Sequence, residues 1–66
     1  MAVARVTKIT ASSTKSFQDA VDTGLKRAAK TLRGLTGLEV ASLKAKVENG
    51  KIVEYRATIE VTFILD

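Results

Sequence analysis

Lys44-Ala-Lys-Val-Glu-Asn-Gly-Lys-Ile-Val-Glu-Tyr-Arg-Ala-Thr-Ile-Glu-Val-Thr-Phe-Ile-Leu65 is the stretch whose reading decides the fold. From Val53 onward the odd positions are apolar: Val53, Tyr55, Ala57, Ile59, Val61, Phe63 and Leu65. The even positions through Thr62, namely Glu54, Arg56, Thr58, Glu60 and Thr62, are all polar. Strict alternation of this kind describes a strand with one buried and one solvated face. The residues before it read as a second strand from about Leu38, with the two joined at Glu48-Asn-Gly-Lys51. Leu38 and Val40 are even positions, whereas Leu43, Ala45 and Val47 are odd, so a β-bulge near Ala41-Ser42 is needed to keep one apolar face. A two-residue Asn-Gly turn would set Ala45 against Glu54. A three-residue loop with Gly50 in the left-handed conformation instead pairs Ala45 with Val53, Leu43 with Tyr55, Val40 with Ala57 and Leu38 with Ile59. That second register is the one the pattern favours, because a slip of one residue flips a whole face.

Working outward, residues 3–10 form a first strand, with Val3 and Ile9 on one face and Val6 on the other. Apolar residues on both faces imply contact with protein on both sides. Ser13 is the expected N-cap of a following helix. Phe17, Ala20, Val21, Gly24, Leu25, Ala28, Leu32 and Leu35 then recur at three- and four-residue spacing, the stripe of one long amphipathic helix. Acidic Asp19 and Asp22 come early, while Lys26, Arg27, Lys30 and Arg33 come late, which suits the helix dipole. Gly34 is placed to end the helix in a left-handed conformation. The result is an α+β fold of order β-α-β-β. Its three-stranded antiparallel sheet has strand order 1-3-2, and the helix packs on one face.

With 66 residues the chain makes a single domain near the lower size limit for folding without staples. Cysteine and histidine are both absent, so disulfides, thiolate chemistry, imidazole ligands and the commonest general base are all excluded. The hydrophobic content of 45% is too high for a disordered chain, and self-association is the remaining way to bury more surface. The N-terminal stretch carries charges where a signal sequence would be apolar, and no segment is long and apolar enough to span a bilayer. A cytoplasmic location is expected. The net charge of +4 is spread over the whole chain, and Phe17, Tyr55 and Phe63 all fall on apolar faces, so no stacking platform for nucleic acid is expected.

Particular residues add a resemblance. Ser12-Ser13, Ser16-Phe17 and Ala20 at the helix start, Ala28-Ala-Lys-Thr-Leu-Arg33 at its end, Leu38-Glu-Val40 and Glu54-Tyr-Arg-Ala-Thr-Ile-Glu-Val61 together resemble the dodecins. These are small flavoproteins that assemble as hollow twelve-subunit shells. The resemblance implies a homododecamer holding riboflavin or FMN. It also exposes departures. Gly37 stands where flavin-binding dodecins have the tryptophan that sandwiches the isoalloxazine ring. Arg56 stands where they have the glutamine that hydrogen-bonds its edge, and Ala11 replaces a common glycine. Stacking on an aromatic contributes on the order of 1–3 kcal/mol per ring by analogy with bases, so flavin binding at Gly37, Arg56, Leu38 and Glu39 should be weakened.

Arg56 has two readings: a guanidinium that holds a phosphate, a carboxylate or a ring face, or a salt bridge to Glu54, Glu60 or Glu39. Carboxylates occur at Asp19, Asp22, Glu39, Glu48, Glu54, Glu60 and Asp66 without the spacing of a calcium loop. Some dodecin-like proteins that lack the stacking residue bind calcium, so the alternative is a dodecamer whose flavin role is lost, either structural or with a cation site from Glu39, Glu54 and Glu60 gathered on a symmetry axis. Lys26, Lys30 and Arg33 read as the solvated side of the helix. Ser12, Ser13 and Ser16 have no base to activate them, and the expectation is a small-molecule binding or storage protein rather than an enzyme.

Overall fold

A computed structural model describes residues 3–65 and bears out the β-α-β-β order. Strand β3 (Lys51–Leu65) lies between β1 (Val3–Ser13) and β2 (Leu35–Glu48), and both neighbours run antiparallel to it. Helix α1 (Phe17–Thr31) connects the two edge strands. The alternation in β3 has the predicted consequence: Ala57, Ile59 and Val61 are buried, with Ala20 and Ala28 of the helix closing over them. Ile9, Val21, Leu32, Leu35 and Leu38 pack around this centre. Gly24 lets the helix come close, since a Cβ there would lie 3.2 Å from both the Ala11 Cβ and the Ile59 Cδ1.

The helix is shorter than its stripe suggested. Ser16, not Ser13, is the N-cap: its extended backbone precedes the first turn and its Oγ accepts from the Asp19 amide at 2.9 Å. Ser13 ends β1 and is buried. Its Oγ accepts from the Lys15 amide at 2.9 Å and donates to Asp19 Oδ2 at 2.6 Å, so it braces the cap. At the other end Leu32 is already extended, and its amide closes the last turn onto the Ala28 carbonyl at 2.8 Å. Gly34 has the expected positive φ of 74°, but it sits in the link to β2, where its carbonyl accepts from the Ile64 amide at 3.0 Å. Leu35 belongs to β2, opposite Phe63, rather than to the helix. Its spacing continued the helical stripe because it reaches the same core from a strand.

The hairpin also corrects the expected register. Asn49 and Gly50 form a two-residue turn with φ of 53° and 74°, and Glu48 pairs with Lys51. Positive φ at both central residues is the signature of a type I′ hairpin turn. The clash of faces that argued against this turn is removed by a register shift between Lys46 and Val47. Val47 opposes Ile52 and Lys46 opposes Glu54, so Val53 is the extra residue. Ala45 therefore meets Tyr55, Leu43 meets Ala57, Val40 meets Ile59 and Leu38 meets Val61, two positions along β3 from the pairing expected. The bulge foreseen near Ala41 is present between Val40 and Ser42. A further shift lies between Leu35 and Gly37.

The helix packs on β1 and β3 and scarcely reaches β2. The helix-side residues Val40, Leu43 and Val47 of that edge are left 43%, 50% and 59% exposed. The chain is 52 Å long, whereas the 15-residue helix spans only about 22 Å, so the helix covers less than half of that length.

Candidate functional site

The face of the sheet turned away from the helix carries the polar half of the alternation, arranged in rows by strand pairing. Ser12, Arg56 and Lys44 share one row, and Thr10, Thr58 and Ser42 the next. Lys8, Glu60 and Glu39 form a third, and Val6, Thr62 and Gly37 a fourth. The Thr10 and Thr58 hydroxyls hydrogen-bond to each other at 3.0 Å across the first strand pair.

Arg56 uses its Nε to bond Glu54 Oε1 two residues earlier on the same strand. The salt-bridge reading therefore holds for Glu54, though the bond leaves the two terminal amino groups of the guanidinium uncommitted. Lys46, directly opposite Glu54, instead lies 3.5 Å from Glu48. Lys44 is exposed and makes no ion pair among the described residues.

Gly37 lies at the far end of β2, at the edge of a recess of about 280 Å³ that Leu25, Leu35, Thr36 and Leu38 also line. A Cβ built on Gly37 would meet no atom within 4 Å. Leu38, expected beside it in a ligand site, faces the helix and packs on the core, as its pairing with Val61 requires. Glu39 is exposed and opposes Glu60. The candidate residues thus fall into two groups. Gly37 is level with Thr62 and Arg56 is six residues away on β3, which is about 20 Å of strand. One chain does not bring them together, and a site using both needs two chains.

Three carboxylates were candidate cation ligands. Glu54 is committed to Arg56, and Glu39 faces Glu60 three rows away from Glu54. Among the described residues no group of three or more carboxylates is close enough to hold a metal; Asp66 lies outside them. Phe17 and Tyr55 pack edge to face with centroids 4.9 Å apart, and Phe63 is half-buried.

Comparison with known proteins settles the lineage. The family model described as Dodecin matches residues 3–66. The chain belongs to the dodecin family. Among solved structures it is similar to the dodecin from Streptomyces davaonensis, at 32% identity and a TM-score of 0.91 over 98% of this chain and 96% of that one. It is similar to an R45A mutant of the Thermus thermophilus dodecin at 29% identity and a TM-score of 0.94, covering 100% of this chain and 98% of that one. The calcium dodecin from Mycobacterium tuberculosis, whose structure is described as having a novel calcium-binding site, is 28% identical with a TM-score of 0.82. That likeness covers 97% of this chain and 91% of the other. No curated protein sequence matches the chain.

Lys44 was not singled out from the sequence. The register expected there set it opposite Glu54, where it reads as an ordinary cross-strand ion pair. The bulge at Val53 moves it opposite Arg56. The two cations at alternate positions, Lys44 and Lys46, were the available signal, but only the bulge decides which faces the arginine. No helix among the described residues is long and apolar enough to cross a membrane.

Proposed function

We propose that this protein is a non-enzymatic, dodecin-type oligomeric shell of twelve chains that binds and stores a small molecule, with the flavin site of the family altered at Gly37 and Arg56. The observation that carries the reading is the open space at Gly37. A side chain there would project into solvent without a clash, so the position can accept a ring-bearing residue but provides no ring surface itself. Glu39 flanks it on the same face. Arg56 can donate to the carbonyl oxygens of a flavin but cannot accept from its ring N–H, which would leave one polar group unpaired on burial. Family membership and the exposed apolar edge of β2, at Val40, Leu43 and Val47, support the assembly. The separation of Gly37 from Arg56 makes assembly a condition for a joint site.

A second reading rests on the direct opposition of Glu39 and Glu60. Like charges facing each other across a strand pair repel, and a calcium ion would relieve that repulsion if symmetry brought further carboxylates together. Flavin fluorescence titration of the purified oligomer tests the first reading. A colourless protein whose melting temperature rises with calcium supports the second, because a ligand that binds only the native state stabilises it.

A further inference from the structure

A groove of about 630 Å³ runs between α1 and β1, and neither Gly37 nor Arg56 lines it. Its size falls in the usual range of small-molecule sites. Ile9, Ala11, Gly24, Ala28 and Leu32 make its floor apolar. Ile9 and Leu32 pack on the core yet are only half-buried, so part of each faces the groove. Thr23, Arg27 and Thr31 stand along the helix wall. Their four-residue spacing sets them on one side of the helix over about 12 Å. Arg27 is the only charged residue lining the groove among those described. Its helix neighbours at three and four residues are Thr23, Gly24, Lys30 and Thr31, none of them acidic. Arg27 accordingly makes no ion pair among the described residues.

We propose that this groove is a ligand site of its own, for an amphipathic molecule with a slim hydrocarbon chain and a single carboxylate. The inference goes beyond the altered flavin site and does not depend on it. The hydrocarbon chain would lie along the floor, where Ala11, Gly24 and Ala28 add little bulk and its apolar surface leaves water. The Arg27 guanidinium can donate two parallel bonds to the carboxylate, and the Thr23 hydroxyl one level away on the same wall can donate another. The Thr31 hydroxyl is already turned to the Ala28 carbonyl at 3.5 Å. One cation matches a monoanion, whereas a doubly charged phosphate ester would keep one charge uncompensated beside the apolar floor.

Octanoate and octanol share a hydrocarbon chain and differ in the head group, so calorimetric titration of the intact oligomer with each separates charge from burial. Octanoate should bind about tenfold more tightly than octanol at low salt, and added sodium chloride should narrow the gap. Arg27→Gln should remove the gap and leave octanol binding unchanged. Arg27→Lys should keep part of it, since an ammonium retains the charge but not the two-pronged geometry. Arg27 is exposed, so neither change disturbs the core. Equal affinities for the two probes would overturn the proposal, as would a gap that survives Arg27→Gln or the failure of both probes to bind. A fall in mass of Arg27→Gln in light scattering would show that another copy of the chain fills the groove, and would overturn it too.

Discussion

Asn49 and Gly50 both take left-handed backbone conformations at the hairpin tip, but only glycine does so without a Cβ penalty. A side chain at Gly50 would meet no neighbouring atom, so its replacement tests the backbone alone. Gly50→Val should destabilise by about 1–2 kcal/mol in a denaturant melt; unchanged stability would mean that the turn is of another type. Gly34 has the same φ of 74°, yet a Cβ there would lie 3.2 Å from the Ile64 carbonyl oxygen. Gly34→Ala should therefore cost more than Gly50→Ala, a comparison that two matched melts would settle. At the helix start, Ser16→Ala removes the accepting hydroxyl and should cost about 1 kcal/mol. Choosing between Ser13 and Ser16 was beyond the sequence because both can accept from a first-turn amide. What separates them is that β1 extends to Ser13 and pairs it with Tyr55.

Within the elements, alternation made β3 and its buried face readable, since the period of two admits only one assignment. The same reasoning found the bulge at Ala41, where a phase change appears within β2 itself. The bulge at Val53 was hidden because it lies beside the turn. There, one extra residue in the strand and one extra residue in the loop restore the same faces and differ only in which residues meet. That ambiguity moved the partners of β2 from Leu38 to Lys46 by two places, and with them the charge opposite Arg56. Deleting Ala41 should turn Leu38 and Val40 away from the helix while Leu43 and Ala45 stay, or the reverse. Loss of cooperative thermal unfolding is the expected outcome, whereas a native-like melt would show that the bulge is dispensable. Gly24→Val should likewise cost about 1–3 kcal/mol through overpacking, because Ala11 and Ile59 already lie 3.2 Å from where its Cβ would be.

For the whole molecule, the apolar edge that one helix leaves uncovered and the 20 Å between Gly37 and Arg56 along the sheet point to the same requirement. In the proposed shell, further copies of the chain would have to cover that edge and complete the candidate site. The spacing of apolar residues carried the fold of one chain almost in full, whereas the candidate site was legible only as substitutions, since Gly37 and Arg56 are not brought together within one chain. Leu43→Asp, on the exposed β2 edge, should dissociate the assembly, and light scattering would report the fall in mass. The most direct test of the altered flavin site is riboflavin titration of the wild-type oligomer beside the Gly37→Trp, Arg56→Gln double variant, each checked for assembly. The wild type should quench riboflavin fluorescence weakly and the double variant should bind about tenfold or more tightly, with each single change recovering part of the gain. Tight riboflavin binding by the wild type, or no gain in a double variant that still assembles, would contradict the account.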